Sequence, residues 1–230
     1  MQFGAGKIAS MRSLAVTLKN AIAGLPEGAS IHLPNIKWAT YEGIVKELDG
    51  EGRVRVVYDR GDLYLMTKSR RHEIISRLFF PLIEVLVEAR GGDFLSIGEA
   101  TLNSQLADRG IEADDCFYFS DIADQSANRK FDLAVDPPPD LAIEVDFTHS
   151  SVDKDGIYVA LRVPEIWRWE NDRVTFHQLV AGGYEETECS VQFPNLPADE
   201  LPHFFAIGTN RGTLAMKRAF VSWLAQYAHK

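Results

Sequence analysis

Three observations predict an α/β fold in which a mixed sheet is flanked by helices. A helical pattern over Val152 to Leu161 joins two strand-like runs, Leu141 to Phe147 and Glu165 to Glu170, and a helical crossover is what a parallel strand pair requires. Short β-branched or aromatic runs at Val54 to Tyr58 and Leu63 to Met66 are separated by Asp59, Arg60, Gly61 and Asp62, which reads as an antiparallel hairpin. A long amphipathic pattern from Ser69 to Ala89 supplies a helix with one apolar stripe to cover such a sheet.

The elements follow in order. The first thirty residues read as an N-terminal leader with a short helix at Ser13 to Ala23, ended by Gly24, Pro26 and Gly28, and residues 31–230 read as one domain. Trp38, Tyr41, Ile44, Val45 and Leu48 recur at helical spacing, and Asp49, Gly50 and Gly52 stop that helix. In the long helix Ile74, Ile75, Leu78, Leu82, Val85 and Leu86 form the stripe, Pro81 predicts a kink, and Gly91-Gly92 ends it. Further strands are expected at Phe94 to Ile97, Ala100 to Leu102, Glu112 to Phe119, Arg173 to Val180 and Tyr184 to Val191. Phe193 to Pro202 reads as a loop, and Gly212 to Gln226 closes the chain as an amphipathic helix. Trp167, Trp169, Phe79 and Phe80 are expected in the core.

Composition narrows the class. The 230 residues are 46% hydrophobic and 25% charged, which separates the chain from disordered and low-complexity proteins. No apolar run approaches the roughly 20 residues of a bilayer span. The N-terminus lacks the apolar core of a secretory signal, and Cys116 and Cys189 form no CxxC pair, so the sequence predicts a protein of the reducing cytoplasm.

The net charge of −9 argues against bulk electrostatic coating of nucleic acid, because phosphate contacts need Lys and Arg on the contact face. The acid surplus is local. Residues 91–170 hold 17 acids against 6 bases, and this is the most strand-rich part of the chain rather than a solvated tail. Strand alternation places Leu141, Ile143, Val145 and Phe147 on one face and Ala142, Glu144 and Asp146 on the other. Two carboxylates side by side on an apolar strand repel unless a cation or hydrogen bonds compensate, and a hard divalent ion would do so. Alternation over Ile111 to Phe119 puts Glu112, Asp114 and Cys116 on one face, making Asp114 the natural partner of Glu144. Oxygen ligands suit Mg²⁺ or Mn²⁺ better than zinc, and a nearby Lys154 could orient a water or steady developing phosphoryl charge.

Glu112-Ala113-Asp114, Pro139-Asp140-Leu141-Ala142-Ile143-Glu144-Val145, Lys154 four before Tyr158, and Val163-Pro164-Glu165-Ile166-Trp167 together resemble the PD-(D/E)XK nuclease superfamily. More narrowly they resemble its Uma-type restriction-endonuclease family, common in cyanobacteria, and the likeness takes in Tyr58 to Leu63 and His72-Glu73. It implies a restriction-endonuclease-like core, a mixed β-sheet flanked by helices, with N-terminal helix and hairpin and C-terminal helix additions. It implies Asp114 and Glu144 as metal-binding acids, with Asp146 a further metal-ligand candidate, and Lys154 as the catalytic lysine carried on the following helix. Glu73 matches the helix acid that assists the metal or its water. It also implies DNA as substrate, an Mg²⁺ or Mn²⁺ cofactor and a homodimer.

Two features depart from the pattern. Asp146 stands where the superfamily's strand lysine belongs, and Ala113 replaces the usual proline before the aspartate. The first keeps open an alternative, a catalytically inactive nuclease-fold module that binds nucleic acid or assembles with other proteins. An unrelated α/β interaction domain is a third reading, favoured if Asp114 and Glu144 lie on opposite sides of the sheet. His72 and His149 read as hydrogen-bonding residues, while Lys68, Arg70 and Arg71 form a basic group at the start of the long helix.

Overall fold

In the computed structural model, which describes residues 16–48, 54–120, 133–147 and 152–227, the N-terminal half contains a helix over residues 16–23 (α1), β1 (Ser30–Leu33), α2 (Trp38–Leu48), β2 (Val54–Asp59), β3 (Asp62–Thr67) and α3 (Arg70–Ala89). There follow β4 (Leu95–Ser96), β5 (Thr101–Ser104), β6 (Arg109–Glu112), β7 (Asp115–Tyr118), β8 (Leu141–Asp146), α4 (Lys154–Leu161), β9 (Glu165–Glu170), β10 (Arg173–Val180), β11 (Gly183–Thr187), α5 (Leu201–Arg211) and α6 (Thr213–Tyr227). His149 and the segment before residue 16 lie outside the described residues.

The strands form two sheets. The first, ordered β1-β3-β2-β6-β5, is antiparallel throughout. Its central hairpin turns at Arg60 and Gly61, both with positive φ, so Asp59 pairs directly with Asp62 and the turn is two residues long. The second sheet is ordered β11-β10-β9-β8-β7-β4. Here β8 and β9 run parallel, Glu144 opposite Arg168, and α4 is the crossover between them, as the sequence predicts. The other pairs in this sheet are antiparallel, so the sheet is mixed.

The expected single strand Glu112 to Phe119 is instead two strands in two sheets. β6 ends at Glu112 against β2 and β5, and β7 begins at Asp115 against β8. Between them the Ala113 amide donates to Ala100 O at 3.2 Å and the Asp114 amide to Ile143 O at 3.0 Å. The chain crosses from one sheet to the other at this point, and the alternation inferred through it does not continue. Glu112 accepts from the Val56 amide at 2.8 Å within the first sheet, apart from Asp114.

α3 begins at a Ser69 cap whose hydroxyl accepts from the His72 amide at 3.1 Å. The helix continues through buried Pro81 to Ala89. Its buried face sets Leu78, Phe79, Leu82 and Leu86 against Leu141, Ile143 and Val145 of β8 and Trp167 of β9. Each large apolar side chain so buried stabilises the fold by roughly 1.5–3 kcal/mol before entropy is counted. Ile74 and Phe80, expected in the core, are exposed, while Ile83 takes a core place. α5 was not foreseen, because Pro202, which sits in its first turn, reads as the end of the preceding loop. None of the described helices is long and apolar enough to cross a membrane.

Candidate active site

Strand β8 divides its side chains as alternation requires. Leu141, Ile143 and Val145 join the core under α3, and Ala142 joins a second cluster with Ile157 and Tyr158 of α4. Glu144 faces the α4 side and is 0% exposed. On α4, capped by the Asp153 carboxylate accepting from the Gly156 amide at 2.9 Å, Lys154 and Tyr158 stand one turn apart on the same face. Both reach Glu144. Lys154 Nζ donates to Glu144 Oε2 at 2.9 Å and also to Asp146 Oδ1, while the Tyr158 hydroxyl donates to Glu144 Oε1 at 2.5 Å. The crossover thus folds the helix lysine back over the strand acid.

Asp114 lies beside this group at the point where the chain changes sheets. Its Oδ2 accepts from the Val145 amide at 2.8 Å. Arg55 of β2 connects the two acids: Nη1 donates to Glu144 Oε2 at 2.9 Å, and Nη2 lies against Asp114 Oδ2. Arg55 is 4% exposed. Burial by itself raises the Asp114 carboxyl, but the Arg55 charge and His72 beside it outweigh burial and hold the group well below the ordinary carboxylate range. Burial and the Glu144 charge push the Tyr158 hydroxyl far up, so it stays a proton donor to Glu144. Burial likewise raises the neighbouring Cys116 thiol, which is therefore not a thiolate ligand at neutral pH.

Glu73 sits one turn into α3, at the edge of the cluster. Its Oε1 is 3.8 Å from His72 Nδ1 and 3.9 Å from Lys68 Nζ, and Lys68 pairs more closely with Glu99 at 2.5 Å. His72 Nε2 lies 3.1 Å from Asp114 Oδ1 as an ion-pair contact, and among the described residues that buried oxygen accepts no hydrogen bond. Glu73, Ser76, Arg77, Glu99, Asp114 and Asp115 are among the residues lining a cleft of about 440 Å³. The backbone therefore brings Asp114, Glu144, Asp146 and Lys154 into one contact network, with Glu73 nearby on the cleft wall.

Among the described residues no group of three or more His, Cys, Asp and Glu side chains is arranged to hold a metal ion. The donor chemistry nevertheless fits Mg²⁺ or Mn²⁺ in one respect: Asp114 Oδ1 is a buried carboxylate oxygen that accepts no hydrogen bond from the described residues. Asp114 and Glu144 would share such an ion, with Asp146 beside them, and at Asp114 Oδ2 or Glu144 Oε2 the ion would meet the Arg55 guanidinium.

Arg55 is the site residue that sequence reasoning missed. Its signal was available: a lone Arg among Val54, Val56, Val57 and Tyr58 needs an acid partner if the strand is buried. Tyr158 entered only as a register mark for Lys154, not as a Glu144 donor.

None of the curated proteins compared with the chain matches it. The sequence profile of the Uma2 family, described as "Putative restriction endonuclease", matches residues 42–210, a span from α2 to α5 that includes every residue of the Arg55, Asp114, Glu144 and Lys154 network. The chain belongs to that family.

Proposed function

We propose that the protein is a metal-dependent nuclease that hydrolyses DNA phosphodiester bonds. Asp114 and Glu144 hold Mg²⁺ or Mn²⁺, Asp146 lies beside them as a further ligand, Lys154 positions the attacking water or balances developing phosphoryl charge, and Glu73 assists from the cleft wall. The observation that carries this reading is the 2.9 Å contact of Lys154 Nζ with Glu144 Oε2, which joins a base from the crossover helix to an acid of the central strand. When bound, the ion polarises the phosphoryl oxygen. Lys154, held by Glu144 and Asp146, keeps its ammonium at a fixed place beside the reacting group. Tyr158 fixes the Glu144 carboxylate from the opposite oxygen. A cytoplasmic homodimer belongs to the same reading, with exposed Leu214 and Val221 on α6 as the surface available for pairing.

Plasmid DNA incubated with the wild type in Mn²⁺ should be cut, and the same protein in EDTA or carrying Glu144→Ala should leave it intact. Lys154→Met should slow cutting by about 10²–10³-fold. Cutting that survives either EDTA or Glu144→Ala overturns the reading.

A second reading has its own observation. Three carboxylates, Asp114, Glu144 and Asp146, already face two fixed cations, Arg55 and Lys154, so the cluster can stand as a structural ion-pair network in a nuclease-fold module that binds without cutting. Retention of DNA with no cleavage in any divalent ion would favour it.

A further inference from the structure

Resting on the metal-dependent reading above, we infer that Arg55 is an internal stand-in cation: it holds Asp114 and Glu144 together in the metal-free protein, and ion binding displaces its guanidinium from between them. Two buried carboxylates this close repel strongly in a low-dielectric interior, and a protein without an ion would otherwise have to protonate or separate them. Arg55 removes that conflict. It comes from β2 of the other sheet, 89 residues away from Glu144, and its two terminal nitrogens each meet one of the acids.

The same geometry means that the guanidinium and an ion compete. Glu144 Oε2 already accepts from both Arg55 and Lys154, and its Oε1 from Tyr158. Asp114 Oδ2 has the Val145 amide as well as Arg55. Among the described residues Asp114 Oδ1 is the one of these four oxygens that accepts no hydrogen bond, so an ion shared by both carboxylates takes a Glu144 oxygen already engaged, and at Oε2 it competes directly with Arg55. The guanidinium is also incompletely satisfied where it stands. Its Nε is buried and donates to none of the described residues, which lowers the cost of moving it. A small cleft of about 50 Å³, lined by Arg55, Lys68, His72, Val145 and Asp146, adjoins it, and Asp146 offers a carboxylate to a withdrawn guanidinium. Arg55 is thus a positioning residue that sets the apparent ion affinity of the site through Asp114 and Glu144.

The test measures ion binding and thermal stability, not cleavage. Mn²⁺ affinity is determined by calorimetry for the wild type, Arg55→Gln and Arg55→Lys, each with and without Glu144→Gln, and the melting temperature is taken in EDTA and in Mn²⁺. Removing a competing cation should tighten Mn²⁺ binding by about tenfold or more in Arg55→Gln, lower its melting temperature in EDTA, and enlarge the rise produced by Mn²⁺. Arg55→Lys, which keeps the charge but cannot fork between two acids, should fall between, and it carries the comparison if Arg55→Gln does not fold. Glu144-dependent Mn²⁺ binding that is equal or weaker in the Arg55 variants overturns the inference while leaving the metal reading intact. Absence of Glu144-dependent Mn²⁺ binding in every protein, wild type included, overturns both.

Discussion

Glu144 shows how a single buried acid is made tolerable. It has no exposed surface, and its two oxygens accept from Arg55, Lys154 and Tyr158, so both oxygens that burial strips of water meet a donor. Removing one donor should therefore cost more than an average hydrogen bond. Tyr158→Phe keeps the ring that packs beside Ala142 and Ile157 but leaves Glu144 Oε1 unsatisfied. The expected loss is about 1–3 kcal/mol in urea denaturation of the metal-free protein. An unchanged midpoint would show that Oε1 finds another donor. At this scale the sequence was informative where the contacts are local: Glu144, Asp146 and Lys154 lie within one strand and the helix after it, and alternation plus a crossover brings them together. Arg55 was illegible as a site residue because its partners come from a different sheet, and no local periodicity reports which two sheets will abut.

The elements that deliver these residues depend on close packing within the first sheet as well as on the β8-α4-β9 crossover. Tyr41 of α2 is fully buried and stacks on Tyr58 of β2, with ring centroids 4.6 Å apart. Its hydroxyl end lies over Gly110 of β6. A β-carbon at Gly110 would collide with the Tyr41 hydroxyl, come within 2.7 Å of Tyr41 Cζ and within 3.1 Å of Asn103 Cβ. Both residues sit in regular elements, α2 and β5, with little room to yield. Gly110→Ala should destabilise the protein by about 1–3 kcal/mol, read as a lower melting temperature, and pairing it with Tyr41→Phe should relieve part of that loss. If the two losses simply add, Tyr41 is not what the new methyl meets. Helix and hairpin boundaries were readable because caps, glycine turns and periodicity are local signals, as at Trp38–Leu48 and Glu165–Glu170. The break between β6 and β7 was not, because Ile111 to Phe119 keeps an unbroken strand-like pattern and the change of sheet is decided by which neighbours its backbone meets.

For the whole molecule, the 17 acids of residues 91–170 resolve into groups with opposite effects on stability. Asp114 is held below the ordinary carboxylate range, so the unfolded chain binds its proton more readily than the folded one. Its contribution is full above that range and is lost as pH falls through and below it. Glu112 and Asp115 behave in the reverse sense: burial, above all other causes, lifts Glu112 from 4.5 to about 7 and Asp115 from 3.8 to about 6. Folding then favours their protonated forms, so their contribution is full below the unfolded values and is lost as pH rises to about 7. The two trends cross in mildly acid solution. In EDTA the wild type should be most stable near about pH 4.5 and weaken steadily towards about pH 7.5 in urea denaturation. Glu112→Gln, which retains an oxygen to accept the Val56 amide but cannot ionise, should flatten that decline and be the more stable protein relative to wild type at the upper end. A Gln variant whose stability falls as steeply as the wild type's would mean that Glu112 is already ionised in the folded state. The loss of stability with rising pH would then come from Asp115 or from Glu165, whose carboxyl burial also raises, and Asp115→Asn and Glu165→Gln would tell the two apart.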